Sequence, residues 1–183
     1  LLGIAEYHGP RSQMMRDIDF PTMVKDGSGW GAMAGTSATW LAADGFTGAP
    51  AITMEGADAA SFWADLGSRW LILEQYFKPY PVCRWAQAPI EGVLALKRAH
   101  GLTSDMVDHI EIRTFHESVR LATNDPKTTE EAQYSTSYPC AVALVSGDVG
   151  IAEVMPPAFE NAEVRRISTG LVRNSARTAF RFL

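Results

Sequence analysis

Lys25 and Asp26 stand immediately before Gly27-Ser28-Gly29, and the chain then runs into Ala32, Ala34, Gly35, Ser37 and Ala38, a helix with little side-chain bulk. A cation beside a flexible turn can meet a small anion, and small side chains let another backbone come close. The stretch from Lys25 to Gly48 therefore reads as a site built against a closely packed helix, anchored by Trp30, Met33, Trp40 and Leu41 at roughly helical spacing. Two other readings stay open. The turn serves equally as a plain glycine loop between two core helices, with Lys25 solvated like most lysines. A phosphate cradle is the third, but Gly27, Gly29 and Gly31 do not make G-x-G-x-x-G, because Ala32 stands where the last glycine belongs.

Other reactive side chains have plainer readings by type alone. Lys78 flanks a proline turn, and Tyr138 sits near the start of an apolar helix, where a tyrosine is usually part of the core. Cys83 and Cys140 lie far apart without C-x-x-C spacing, which predicts two free, partly buried thiols and neither a metal nor a redox motif. His8 has no second metal-type residue at helical spacing and reads as a solvated loop histidine.

The elements that must position these groups follow from periodicity and punctuation. Leu1 to Tyr7 reads as the tail of an apolar helix broken by His8-Gly9-Pro10, and Asp44-Gly45 stops the small-residue helix. Phe62, Leu66, Trp70 and Leu73 recur at three-to-four spacing, predicting one amphipathic helix or two short ones over 57–75 with a core-facing stripe. Lys78-Pro79-Tyr80-Pro81 cannot continue a helix and marks the candidate domain boundary. Beyond it the pattern becomes mixed: a short helix from Pro89 to Ala99 closed near Gly101, then alternation over Val107 to Phe115 as in a half-buried strand. Thr128 and Glu131 make a capping box, Pro139 interrupts or resets a helix, and Asn161 caps a helix ending at Gly170. A last strand is expected over Ala176, Thr178, Phe180 and Phe182.

Composition bounds the partners. The 183 residues carry a formal net charge of −5, which argues against nucleic acid, since phosphate backbones demand a concentrated basic face. No apolar run approaches the roughly 20 residues of a membrane span and no signal peptide stands out, so a cytoplasmic protein is expected. The chain begins Leu1-Leu2-Gly3 and ends inside a strand-like alternation, which suggests a piece of a longer protein.

Three stretches together resemble the MmgE/PrpD family of 2-methylcitrate dehydratases and cis-aconitate decarboxylases. They are Lys25 to Gly48 with its Gly45-Phe46-Thr47-Gly48-Ala49-Pro50 ending, Lys78-Pro79-Tyr80-Pro81-Val82-Cys83-Arg84, and Pro126 to Gly147 with its Ser-x-x-Tyr. The resemblance implies an α+β protein in which residues 1–76 are the later part of an all-helical domain and 77–183 a smaller α/β lid. It also implies that the first part of the helical domain, with an aspartate and histidines of the site, and the C-terminal end lie outside this sequence. By the same comparison Lys25 matches the active-site lysine, Lys78 the lysine of K-x-Y-P, and Tyr138 the tyrosine of Ser-x-x-Tyr. Two positions depart from the pattern: Asp26-Gly27-Ser28-Gly29 replaces a histidine after the first lysine, and Gln87 replaces a later one.

The implied chemistry needs no cofactor and no metal. Dehydration, decarboxylation or epimerisation beside a carboxylate all develop charge on a carboxylate or enolate, and so call for fixed cations and a positioned proton donor. Lys25 and Lys78 would clamp carboxylates, with Ser28 and Cys83 lining the substrate, and Tyr138 would relay a proton if nearby lysines lowered its pKa. The leading expectation is a 2-methylcitrate dehydratase-like lyase working on a small polycarboxylate as a homodimer. Its alternatives are a decarboxylase or an iminodisuccinate epimerase-like enzyme on the same scaffold, or a non-catalytic dimerisation subunit.

Overall fold

The computed structural model describes residues 1–11 and 13–175, and the strand expected over 176–182 lies outside them. Among the described residues the α-helices are α1 (Leu2–His8), α2 (Met14–Asp19), α3 (Ser28–Ala43), α4 (Ile52–Glu55), α5 (Arg84–His100), α6 (His116–Val119), α7 (Thr129–Gln133), α8 (Ser137–Ser146) and α9 (Ala162–Gly170). Two strands, β1 (Glu111–Thr114) and β2 (Val172–Ser175), pair in parallel. The protein is α+β. No described helix is long and apolar enough to cross a membrane.

The chain divides into two units, the first made of residues 1–14 and 25–77, the second of 15–24 and 78–183. Residues 15–24 join the second unit through Asp19, whose carboxylate accepts from the Arg120 Nε at 3.0 Å and from its Nη2.

In the first unit, α1 packs on α3. The small residues of α3 that meet α1 include the buried Ala38, and the helix's glycines take no part. A Cβ built on Gly29, Gly31 or Gly35 meets nothing within 4 Å, whereas one on Gly3 would fall 1.5 Å from the Ala49 carbonyl oxygen and one on Gly48 would fall 2.8 Å from the Ile4 nitrogen. It is Gly3 and Gly48 that let α1 lie against the 48–49 backbone. The helix starts at Ser28, so Ser28 and Gly29 belong to α3 rather than to a turn before it. Its end is as expected, with Asp44 as cap and Gly45 at φ +86°.

Residues 57–75 depart from the sequence reading. Of the two expected forms, one amphipathic helix or two short ones, the structure has two short 3-10 helices, Ala57–Phe62 and Leu71–Glu74. The stripe assigned to the core is exposed: Phe62 is 75%, Leu66 74%, Trp70 61% and Leu73 82% accessible. Helical spacing was present without a partner surface in this unit to bury it, and most helical stability comes from such burial.

The second unit has a continuous core in which α8 is sandwiched between α5 and α9. Ile90 and Leu94 of α5, Cys140 to Leu144 of α8, and Val164 and Ile167 of α9 meet there with Tyr80, Val149, Val154 and Phe159. Local chemistry sets the ends of these helices. Thr128 accepts from the Glu131 amide, Asn161 accepts from the Glu163 and Val164 amides, and Gly101 and Gly147 close α5 and α8 in the left-handed region at φ +62° and +82°. Helix α5 starts five residues before the predicted Pro89 and runs through that proline. Pro139 takes the third position of α8, where the missing amide proton costs no helical bond. The alternation read over 107–115 contracts to β1, in which Ile112 and Thr114 are half-buried.

Candidate functional site

The best-defined site feature of the second unit is the turn from Lys78 to Cys83. Pro79 and Pro81 restrict its backbone, and the buried Gln87, in the first turns of α5, staples it. The Gln87 Oε1 accepts from the Tyr80 amide at 3.2 Å. Its Nε2 donates to the carbonyls of Tyr80 at 3.1 Å and Val82 at 3.0 Å, with that of Cys83 at 3.4 Å. The Tyr80 hydroxyl donates to Glu91 at 2.6 Å, and burial together with that carboxylate pushes its pKa up to about 12. Lys78 is exposed, its Nζ donating to the Val82 carbonyl at 3.3 Å. Cys83 is half-buried at the cap of α5, and its amide donates to the Gln133 carbonyl at 2.8 Å. Lys78 and Cys83 thus belong to one rigid turn.

Tyr138 is set apart from that turn by its environment. It is 2% exposed, stacks edge-on against Phe159 at 5.6 Å, and donates its hydroxyl to the Glu153 carbonyl at 2.7 Å. Burial, and secondarily the Glu153 charge, push its pKa up to about 12. The lowering by nearby lysines that a proton relay would need is absent; the shift runs the other way. Cys140, two residues on in the same helix, is fully buried, and burial raises its thiol pKa as well.

In the first unit Lys25 is exposed and is followed by Asp26 at φ +34°, a left-handed conformation that aspartate tolerates better than most residues. Ser28, also exposed, opens α3 behind the cap Gly27. Neither lines the cleft of this unit, a space of about 400 Å³ between α1 and α3 walled by Ile4, His8, Trp30, Met33, Ser37 and Leu41. The spacing of Trp30, Met33, Ser37 and Leu41 along one helical face was the signal for it. His8 is held there with its Nδ1 3.0 Å from the Ile4 carbonyl.

One polar cluster went unnoticed in the sequence. Arg173 of β2 donates through Nη1 to Asn124 Oδ1 at 2.8 Å and to the Ser137 hydroxyl, and through Nη2 to the Ala122 carbonyl at 3.3 Å. Ser137, the first residue of α8, donates to the same Asn124 Oδ1 at 3.0 Å. Nothing local in Leu171-Val172-Arg173-Asn174 announces this, because the partners lie far off in the chain.

Residues 80–169 match the family model of the MmgE/PrpD C-terminal domain. This part of the chain belongs to the MmgE/PrpD family. No curated protein matches the chain. The MmgE/PrpD match contains Cys83, Gln87 and Tyr138, begins two residues after Lys78, and leaves Lys25 and Ser28 outside it. It covers the core of the second unit from the stapled turn through α9.

Proposed function

We propose that the chain is part of a cytoplasmic, homodimeric MmgE/PrpD-type lyase that removes water from a small hydroxy polycarboxylate, as 2-methylcitrate dehydratases do, without a cofactor. The observation that carries this reading is the family membership of residues 80–169 together with a lysine fixed at the entrance of that domain. Loss of water beside a carboxylate builds negative charge on the carboxylate as the α-proton leaves, and a preorganised ammonium stabilises that charge more than it stabilises the ground state. Lys78, on a turn that Gln87 immobilises, is suited to that task, and Lys25 is assigned a second carboxylate by the resemblance. Ser28 and Cys83 supply further substrate contacts beside them.

Tyr138 enters the reaction only as a neutral donor, since its phenol stays protonated wherever lysines are charged. To act on substrate its hydroxyl must leave the Glu153 carbonyl.

Decarboxylation or epimerisation on the same scaffold is the second reading, supported by the altered turn Asp26-Gly27-Ser28-Gly29 after Lys25, whereas Gln87 bears on all three reactions alike. An amide bonded at both ends to the backbone transfers no proton, so the position that other members fill with histidine supplies no acid or base here. The exposed Trp30, Met33 and Trp40 of α3 support a third, a dimerisation subunit without catalysis.

The test is binding and turnover by the wild-type protein, Lys25→Ala and Lys78→Ala with citrate, 2-methylcitrate, cis-aconitate and iminodisuccinate. One acid bound and converted, with both variants impaired, supports the lyase reading and names the substrate. Unchanged binding in both variants removes the lysine clamp, and no binding of any acid leaves the scaffold reading.

A further inference from the structure

Arg173 occupies an unusual position for a charge. Its register partner across the parallel pair is Ile112, and both residues are half-buried, on the side of the strands turned inward. A half-buried guanidinium normally faces a carboxylate. Among the described residues the acceptors of Arg173 are neutral: an amide oxygen, a hydroxyl and a peptide carbonyl. The neighbouring acid, Asp125, is committed to Arg165 at 3.0 Å and to Lys127 at 2.6 Å.

A second observation converges on the same place. Among the described residues three buried side-chain atoms lack a hydrogen-bond partner: the Arg173 Nε, the Thr136 hydroxyl and the Ser118 hydroxyl. Thr136 is the cap residue of α8, directly before Ser137, and its side chain makes no cap bond. The Thr136 amide donates to the Leu121 carbonyl and the Leu121 amide to that of Ser118, while Arg173 bonds the adjacent Ser137 and Ala122, so the residues that bear the three orphans are neighbours. Unmet donors around an unpaired cation at the N-terminus of a ten-residue helix are the elements of an anion site. Desolvation lowers the Arg173 pKa, and a bound anion would offset that cost.

We propose that Arg173, with Ser137 and Thr136 at the start of α8, binds a carboxylate of a small polycarboxylate. The guanidinium fork matches a carboxylate through two parallel N–H bonds, and the edge without a side-chain partner is Nε with one Nη2 proton, whose buried Nε must be uncovered by a shift of the side chain as the anion enters. Asn124, bonded to both Arg173 and Ser137, holds the fork in orientation. The proposal rests on the lyase reading only for the choice of acid.

The experiment follows the arginine Nε–H resonances of the ¹⁵N-labelled full chain while citrate is added, with sodium chloride and inorganic phosphate as parallel arms. Loss of one peak in Arg173→Lys assigns it. The expected result is a saturable shift of the Arg173 peak with citrate and none with chloride. Citrate should also bind Arg173→Gln roughly tenfold or more weakly, as loss of a charge-assisted pair implies. A larger response to phosphate than to citrate would replace the carboxylate by a phosphate and overturn the assignment. A peak that stays put, or moves equally with chloride, overturns the site whether or not citrate binds elsewhere. The outcomes separate from those of the lysine variants: turnover lost in Lys78→Ala with an unmoved Arg173 peak keeps the lyase and removes this site. A moving peak without turnover does the reverse.

Discussion

Lys78 and Gln87 donate to the same atom, the Val82 carbonyl oxygen, at 3.3 and 3.0 Å. Gln87 is therefore spent on shape: it fixes the backbone on which Lys78 stands and brings no titratable proton.

Gln87→Leu should consequently destabilise the protein by about 1–3 kcal/mol, because the Tyr80 amide and the carbonyls of Tyr80 and Val82 lose buried partners. Gln87→Glu should be worse at neutral pH, where a carboxylate faces those carbonyls; burial raises the folded-state pKa of that group, so stability should recover as the pH falls through it and be fully regained below the unfolded value of about 4. Urea unfolding of the three proteins at two pH values measures both effects. An unchanged midpoint in Gln87→Leu would show that the prolines alone hold the turn.

Lys97 of α5 closes the far end of α8. Its ammonium donates to the Leu144 carbonyl and, at 3.4 Å, to that of Val145, two of the orphan acceptors at a helix C-terminus. Lys97→Met keeps the aliphatic stem and removes these bonds and the favourable charge at the helix end. A loss of about 1–2 kcal/mol is expected in thermal or denaturant unfolding. A variant as stable as wild type would mean that water satisfies those carbonyls equally well.

What could be read from the sequence was local. Thr128 with Glu131, Asn161, Gly101 and Gly147 each act within a few residues of themselves, and each does what its type predicts. The stripe Phe62, Leu66, Trp70 and Leu73 failed because periodicity reports which residues could share a face, and says nothing of whether a surface exists to receive it. Arg173 was missed for another reason: Ser137 and Asn124 lie 36 and 49 positions away, and only long-range packing brings them together. Tyr138 was located in a plausible helix, but the Glu153 carbonyl that accepts its hydrogen bond comes from a 3-10 turn 15 residues on.

The two buried tyrosines set the alkaline limit. Tyr80 and Tyr138 have folded-state pKa values raised to about 12 against an ordinary value of 10.0, so the folded protein holds their protons longer than the unfolded chain does. The sign follows: their contribution is whole below pH 10 and is lost as the pH rises from there towards 12. Tyr138→Phe should cost about 1 kcal/mol at neutral pH for the lost bond to Glu153 and should flatten the fall of stability above pH 10. A fall as steep in Tyr138→Phe as in wild type would assign the alkaline transition to other groups.

The glycines of the first unit separate an open helix from a covered one. In Gly3→Ala the new methyl would lie 1.5 Å from the Ala49 carbonyl oxygen, so α1 must shift and the protein must lose stability. At Gly35 the same methyl meets nothing within 4 Å and the residue lies inside α3, where alanine is the better helix former. Gly35→Ala should therefore raise stability by roughly 0.5–1 kcal/mol if the described surroundings are all that α3 touches. The homodimer reading makes a different demand on this residue when its face lies in the interface. A second copy packed closely over Gly35 would turn the added methyl into a clash, and sedimentation would show a weakened dimer alongside a lowered melting point. Paired melting and sedimentation of Gly3→Ala and Gly35→Ala thus decide whether the Gly35 face of α3 is free or whether its missing bulk makes room for a partner.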